Sequence, residues 1–213
     1  MDIAQIIDHT MLKPEATQET IRRYCDEART YGFASVCVNS CHVALVASEL
    51  KDSRVKTCSV IGFPLGAMIT EVKAFEAAAA VQAGAQEIDM VINIGAVKDG
   101  NMDFVTEDIR AVVEAAKPAI VKVIIENCLL SNDEKIAACE AAVRAGAVYV
   151  KTSTGFGTGG ARLDDVKLMR QTVGNRAKIK ASGGIRTHEF ACQLAEAGAD
   201  RIGAGDGVAL LTK

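Results

Sequence analysis

No apolar run in this 213-residue chain approaches the roughly 18 residues that a membrane-spanning helix needs, so a membrane partner is not expected. Charge of one sign is missing too. Lysine and arginine total 24 against 27 aspartates and glutamates, a net charge of −3, and this gives no electrostatic bias towards nucleic acid or a lipid surface. Only three prolines occur, and no linker, charge block or low-complexity stretch divides the chain. A single domain over residues 1–213 is expected, long enough to bury a large core. The start, Met1-Asp2-Ile3-Ala4-Gln5, has no basic segment followed by an apolar one, so no signal peptide is expected. The seven cysteines then read as reduced thiols in a cytoplasm. Cys37, Cys41 and His42 resemble the beginning of a metal site, but no second cysteine or histidine pair follows at a zinc-like spacing. Neither a metal nor a cofactor is expected.

What is present is a recurring unit: an alanine-rich helical stretch, a glycine, then a short β-branched strand. It occurs at Gly32 before Ser35-Val36-Cys37-Val38-Asn39 and at Gly84 before Glu87-Ile88-Asp89-Met90-Val91-Ile92-Asn93. It returns at Gly146 before Val148-Tyr149-Val150-Lys151 and at Gly198 before Asp200-Arg201-Ile202-Gly203. Glycine just past a helix end is the usual left-handed cap, and the short αβ turn suits a parallel sheet. Further strands are expected at Ile6–Thr10, Val55–Ile61, Ile120–Glu126 and around Lys180. Eight strands alternating with amphipathic helices point to an α/β fold, a (β/α)8 barrel. A doubly wound open sheet usually carries a glycine-rich turn after its first strand. Here the first strand runs into Met11-Leu12-Lys13-Pro14, and the glycines gather after the last three strands.

Two lysines interrupt strand-like apolar runs: Lys151 in Val150-Lys151-Thr152-Ser153-Thr154, and Lys180 in Ile179-Lys180-Ala181-Ser182. Alternate strand residues share a face, so Lys151 lies opposite Val150 and Lys180 opposite Ile179 and Ala181. If the apolar face packs on helices, both lysines point into the sheet's interior. Lysine is almost never buried unless paired or functional. A buried, unprotonated lysine is a nucleophile for carbonyl carbon. An edge lysine with a snorkelling stem is the plainer alternative for either residue alone. The same alternation places Asp89 and Lys122 inside. One like charge at about 4 Å, at an effective dielectric near 20, supplies roughly 4 kcal/mol towards deprotonating a neighbour. So one lysine attacks and the other keeps it neutral; spacing does not decide which. Asp89 suits proton transfer, against the alternative of a structural ion pair with Lys122 or Lys180. The glycine-rich turns after the last strands suit an anion such as a phosphate.

At these residues the chain resembles the deoxyribose-phosphate aldolases of short bacterial type. The resemblance runs through Ile7-Asp8-His9-Thr10-Met11-Leu12-Lys13-Pro14, Glu87–Gly95, Val121–Glu126, Val150–Phe156 and Ile179–Arg186. It implies a (β/α)8 class I aldolase, needing no metal, that cleaves 2-deoxy-D-ribose 5-phosphate reversibly to acetaldehyde and D-glyceraldehyde 3-phosphate. Its partners would be that sugar phosphate, aldehydes and further copies of the chain, as a homodimer or homotetramer. By position, the resemblance makes Lys151 the Schiff-base lysine, Lys180 the neighbour that keeps it reactive, and Asp89 the proton relay. It also implies that Asp8, Thr10, Cys37 and Lys122 line the pocket, and that Gly155, Gly183, Gly184 and Gly203 belong to phosphate-binding turns. One departure stands out. Where the family usually has serines after Arg201-Ile202-Gly203-Ala204, this chain has Gly205-Asp206. Gly205 still offers its N–H, but an inward Asp206 would repel phosphate and favour unphosphorylated aldehydes; an outward one would cap the following turn. A related lysine-dependent aldolase or thiolase acting on such aldehydes is the alternative. Cys37, mid-strand and inward, is either a thiol open to unsaturated aldehydes or inert packing. The final residues, Leu210–Lys213, carry no terminal tyrosine of the kind some relatives have.

Overall fold

The computed structural model describes residues 3–212; Met1, Asp2 and Lys213, on which the readings of the two chain ends partly rest, lie outside them. Eight parallel strands close a barrel in chain order: β1 (Ile7–Met11), β2 (Ser35–Val38), β3 (Lys56–Ile61), β4 (Glu87–Val91), β5 (Ile120–Ile124), β6 (Tyr149–Lys151), β7 (Lys178–Ser182) and β8 (Arg201–Ala204). The helices between them are α1 (Gln18–Tyr31), α2 (Val43–Glu49), α3 (Thr70–Gln82), α4 (Ile94–Lys98), α5 (Met102–Ala115), α6 (Asn132–Arg144), α7 (Leu163–Val173) and α8 (His188–Glu196). Strand pairing is β1 to β2 and onward, with β8 returning to β1 through Asp8 opposite Gly203. The expected (β/α)8 fold is therefore the observed one, and no helix among the described residues is long and apolar enough to cross a membrane.

Local chemistry starts and stops the elements. The Thr17 hydroxyl accepts the Thr20 N–H at the start of α1, and Ser131 with Glu134 forms a reciprocal capping box on α6. The glycine of each recurring unit adopts a positive φ, from 69° at Gly32 to 118° at Gly198. Outward-facing strand residues such as Ile88, Met90, Val121, Val150, Ile179 and Ile202 are buried with Ile109, Val112, Ala138 and Met169 of the helices in one apolar cluster. Each large aliphatic side chain buried there contributes roughly 1.5–3 kcal/mol.

Several expected strands end early, among them the fifth, which stops at Ile124 rather than Glu126. The strand containing Lys151 stops at Lys151, because the hydroxyls beyond it take over the bonding: Thr152 Oγ1 donates to the Ser182 carbonyl at 3.1 Å, and Ser182 Oγ to the Ser153 carbonyl at 2.6 Å. The fourth strand stops at Val91, since Asn93 caps α4 by accepting the Ala96 N–H at 3.0 Å.

Candidate active site

With the apolar faces turned to the helices, the opposite faces fill the barrel, and they are not apolar. Asp8 comes from β1, Glu87 and Asp89 from β4, Lys122 from β5, Lys151 from β6, Lys180 from β7 and Arg201 from β8; all seven are buried. Asp89 is the hub. Its Oδ2 accepts hydrogen bonds from Lys151 Nζ and Lys180 Nζ, each at 2.7 Å. Its Oδ1 accepts from Lys122 Nζ at 2.8 Å and from the Cys58 thiol at 3.2 Å. The Lys151 and Lys180 nitrogens are therefore at most twice 2.7 Å apart, so one amine feels the other's charge directly.

The other cations have more than one acidic neighbour. Lys180 also pairs with Asp8 Oδ2 at 2.5 Å. Lys122 pairs with Glu87 Oε2 at 2.7 Å and lies 3.8 Å from Asp8 Oδ2. Arg201 binds both Glu87 oxygens, at 2.5 and 2.7 Å, and reaches Asp8 Oδ1 at 3.2 Å. Among the described residues, Lys151 has Asp89 alone. Burial by itself would raise the carboxyl pKa of Asp8 and Asp89, but the surrounding lysines and, for Asp8, Arg201 hold both far below the ordinary range. Burial likewise works against the charged forms of Lys180 and Lys122. For Lys180 the Asp8 and Asp89 carboxylates more than offset it; for Lys122 Asp89 leads. Both are therefore held as ammonium ions.

Above this layer, at the carboxyl ends of the strands, lies a cavity of about 180 Å³. Lys151 and Thr10 reach it from below, and Thr154, Gly155, Gly183, Gly184, Gly203 and Gly205 form its walls. Gly155 and Gly183 have φ of 86° and 87°. Gly203 is glycine partly for packing: a Cβ there would sit 3.1 Å from Lys180 Cε and 2.9 Å from Ser182 Cβ. A second cleft of about 520 Å³ shares Thr10, Thr154 and Gly205 with the cavity and continues past Lys13, Tyr24 and Phe156.

The structure thus brings Lys151, Lys180 and Asp89 together as expected, with Thr10 and the five glycines around the cavity. Asp8 and Lys122 sit one layer lower, as ionic partners rather than cavity walls. Cys37 is also in that lower layer, packed with Leu12, Cys58 and Val60. The adjoining Cys58 side chain draws the Cys37 thiol below its ordinary range, while burial pushes Cys58 well above it. Asp206 corrects the inward reading. It is exposed, does not line the cavity, and its Oδ1 accepts the Ala209 N–H at 3.0 Å, capping the short turn Ala209–Leu211. Glu87, Arg201 and Cys58 escaped the sequence reading, although the alternation that selects Asp89 also selects Glu87 two residues before it.

Cys37, Cys58 and Asp89 place their donor atoms within 4.8 Å of one another. This set does not fit a metal ion. Lys122 donates to both Cys58 Sγ, at 3.3 Å, and Asp89, whose second oxygen already accepts from Lys151 and Lys180. The positions a cation would occupy are taken by protein cations. Cys41, the other thiol near the sequence's start of a metal pattern, is exposed.

Comparison with known proteins agrees with this geometry. The model of the DeoC/LacD family aldolases matches residues 3–213. The chain is 58% identical over 212 residues to the deoxyribose-phosphate aldolase of Clostridium tetani, covering 99% of this chain and 98% of that one. It is 60% identical over 211 residues to the deoxyribose-phosphate aldolase of Streptococcus suis (strain 98HAH33), with 99% and 96% covered. Among solved structures, a tetrameric deoxyribose phosphate aldolase from Aeropyrum pernix superposes with a TM-score of 0.92 at 36% identity, covering 98% of this chain and 89% of that one. A lysine-lined barrel matched over its whole described length by such relatives is no generic α/β scaffold: the chain belongs to the DeoC/LacD family of aldolases and is a carbon–carbon lyase.

Proposed function

We propose that the chain cleaves 2-deoxy-D-ribose 5-phosphate reversibly to acetaldehyde and D-glyceraldehyde 3-phosphate, through a Schiff base on Lys151. One observation carries the choice of Lys151: of the four interior cations it alone reaches the cavity, and it alone is held by a single carboxylate. Charge balance points the same way. Among the described residues, Lys122, Lys151, Lys180 and Arg201 pair only with Asp8, Glu87 and Asp89. The buried layer thus holds one more basic side chain than it has carboxylates, and among the described residues Lys151 has the fewest acidic neighbours.

The neutral Lys151 amine adds to C1 of the open-chain sugar, and loss of water leaves an iminium ion. Removal of the C3 hydroxyl proton breaks the C2–C3 bond, releasing D-glyceraldehyde 3-phosphate and leaving the enamine of acetaldehyde on Lys151. Protonation at C2 and addition of water then free acetaldehyde and the amine. Asp89, in contact with Lys151 and Lys180, serves as the proton relay. Lys180 stays charged and disfavours a second charge on Lys151. The glycine turns at Gly155, Gly183, Gly184, Gly203 and Gly205 receive the phosphate end. The outward Asp206 removes the feature that favoured an unphosphorylated substrate. Lys151→Leu should abolish release of D-glyceraldehyde 3-phosphate from 2-deoxy-D-ribose 5-phosphate; residual turnover above about a hundredth of wild type would reassign the nucleophile.

The same reading takes the 213 residues as one catalytic domain working in the cytoplasm. Seven unpaired cysteines suit a reducing compartment. It also takes the protein as a homo-oligomer. Leu65, Ile69, Val72 and Phe75, 50–75% exposed, lie together before and along the start of α3, and an apolar group of this kind is characteristic of a subunit contact. The tetrameric relative supports this assignment.

A further inference from the structure

The chain has a strained residue beside the cavity that the cleavage chemistry above does not use. Among the described residues only Asp52 and Glu126 combine a side chain with a positive φ. Asp52 is an exposed turn residue. Glu126 is 3% exposed, with φ 52° and ψ 66°, just past the end of β5. Its neighbours keep the β6 register, Ile125 N–H bonding to the Lys151 carbonyl at 3.0 Å and Asn127 N–H to the Thr152 carbonyl at 2.9 Å. Glu126 itself is turned out of the ladder. Left-handed backbone is unfavourable for a glutamate, and burying a carboxylate is costly unless it is well bonded. Two unfavourable features at one residue beside a site point to a function that the rest of the fold sustains.

The bonds made in return all go to one place. Glu126 Oε1 accepts the Thr154 N–H at 3.2 Å, and Oε2 accepts the Thr154 hydroxyl in a short hydrogen bond. Thr154 Oγ1 in turn accepts the Phe156 N–H at 3.0 Å. Among the described residues, both hydrogen bonds of the Glu126 carboxylate end on Thr154. The chain then wraps around this carboxylate: a Cβ at Gly157 would lie 3.3 Å from Glu126 Cδ. Thr154 and Gly155 form a cavity wall three and four residues beyond Lys151. On the β7 side this turn is tied by Thr152, Ser153 and Ser182. On the β5 side it is tied by Glu126.

We propose that Glu126 is a positioning residue that sets the Thr154–Gly155 turn for the phosphate end of the substrate, without touching the reacting carbon. The inference rests on the aldolase reading above. It predicts a split between two ends of one site. Removing the carboxylate loosens the wall that receives the phosphate but leaves Lys151, anchored on Asp89, in place.

The test compares Glu126→Ala, Glu126→Gln and Glu126→Gly. Glycine accepts the left-handed backbone, so Glu126→Gly keeps the fold while deleting the carboxylate. Glutamine keeps an acceptor for the Thr154 N–H and a donor for its hydroxyl. For the alanine and glycine variants KM for 2-deoxy-D-ribose 5-phosphate should rise about 10- to 100-fold, and stabilisation of the protein by inorganic phosphate in thermal unfolding should be lost. Borohydride trapping of acetaldehyde on Lys151 should continue at the wild-type rate, and glutamine should restore most of the affinity. Unchanged KM in Glu126→Gly, or parallel loss of phosphate affinity and acetaldehyde trapping in a folded variant, would overturn the proposal. Wild-type protein that neither cleaves the sugar phosphate nor traps acetaldehyde would instead refute the aldolase reading.

Discussion

Replacing Asp89 by asparagine changes one atom and one charge at the hub of the barrel. Wild-type Asp89 accepts from Lys151 and Lys180 at 2.7 Å and from Lys122 at 2.8 Å. At an effective dielectric near 20, a single pair of unit charges at that separation attracts by about 6 kcal/mol. Desolvation of the buried groups cancels much of this, and breaking a buried pair by removing one partner costs about 3–5 kcal/mol in total. In either orientation the asparagine amide places an N–H donor against an ammonium group, so hydrogen bonding recovers little. The expected loss is therefore about 3–5 kcal/mol, or roughly 6–20 °C in Tm for a chain of this size.

The pH dependence has a definite sign. The native pKa of Asp89 is depressed from 3.8, so its contribution is fully present above the unfolded value and lost as pH falls through the native one. The stability gap between wild type and Asp89→Asn should hold from pH 5 to 8 and close only in strong acid. Urea unfolding across that range, with turnover of 2-deoxy-D-ribose 5-phosphate on the same samples, checks both. A variant within about 1 kcal/mol of wild type at pH 7 that keeps a tenth of the turnover would refute the hub assignment.

Lys180→Met should lower turnover about 100-fold at pH 7 while the protein stays folded; turnover within about tenfold of wild type would contradict Lys180's role. Asp206→Ser should leave the ratio of kcat/KM for phosphorylated and unphosphorylated deoxyribose unchanged, because the Asp206 carboxylate caps Ala209. A shift in that ratio would mean the side chain turns inward when substrate binds. If the proposed homo-oligomer forms through this face, wild type should sediment as an oligomer in analytical ultracentrifugation and Phe75→Asp as a folded monomer, since Phe75 is 75% exposed; a monomeric wild type or an unchanged assembly would contradict that contact.

Much of the site is legible in the sequence because strand alternation is strict. Once Val150 and Ile179 are assigned to the helix-facing side, Lys151 and Lys180 must point inward, and Asp89 and Lys122 follow. The same rule covers Glu87 and Arg201. They sit at strand beginnings, where a charge reads as a solvated end, and only closure of the barrel shows that this end is buried. Side-chain direction in turns has no such periodicity. Asp206 offers two directions on paper, and the Ala209 N–H decides between them. Glu126 misleads for the opposite reason. Alternation continued past Ile124 would place it inward beside Lys122, but the strand ends there and a left-handed backbone swings the carboxylate to Thr154. No pattern of apolar residues encodes that change.

The most direct test of the central claim is peptide mass spectrometry after borohydride reduction of the protein with acetaldehyde. The account predicts a two-carbon reduced adduct on Lys151, absent from Lys151→Leu. An adduct on Lys180 or Lys122 instead, or none on folded protein, would contradict the assignment of Lys151 as the nucleophile.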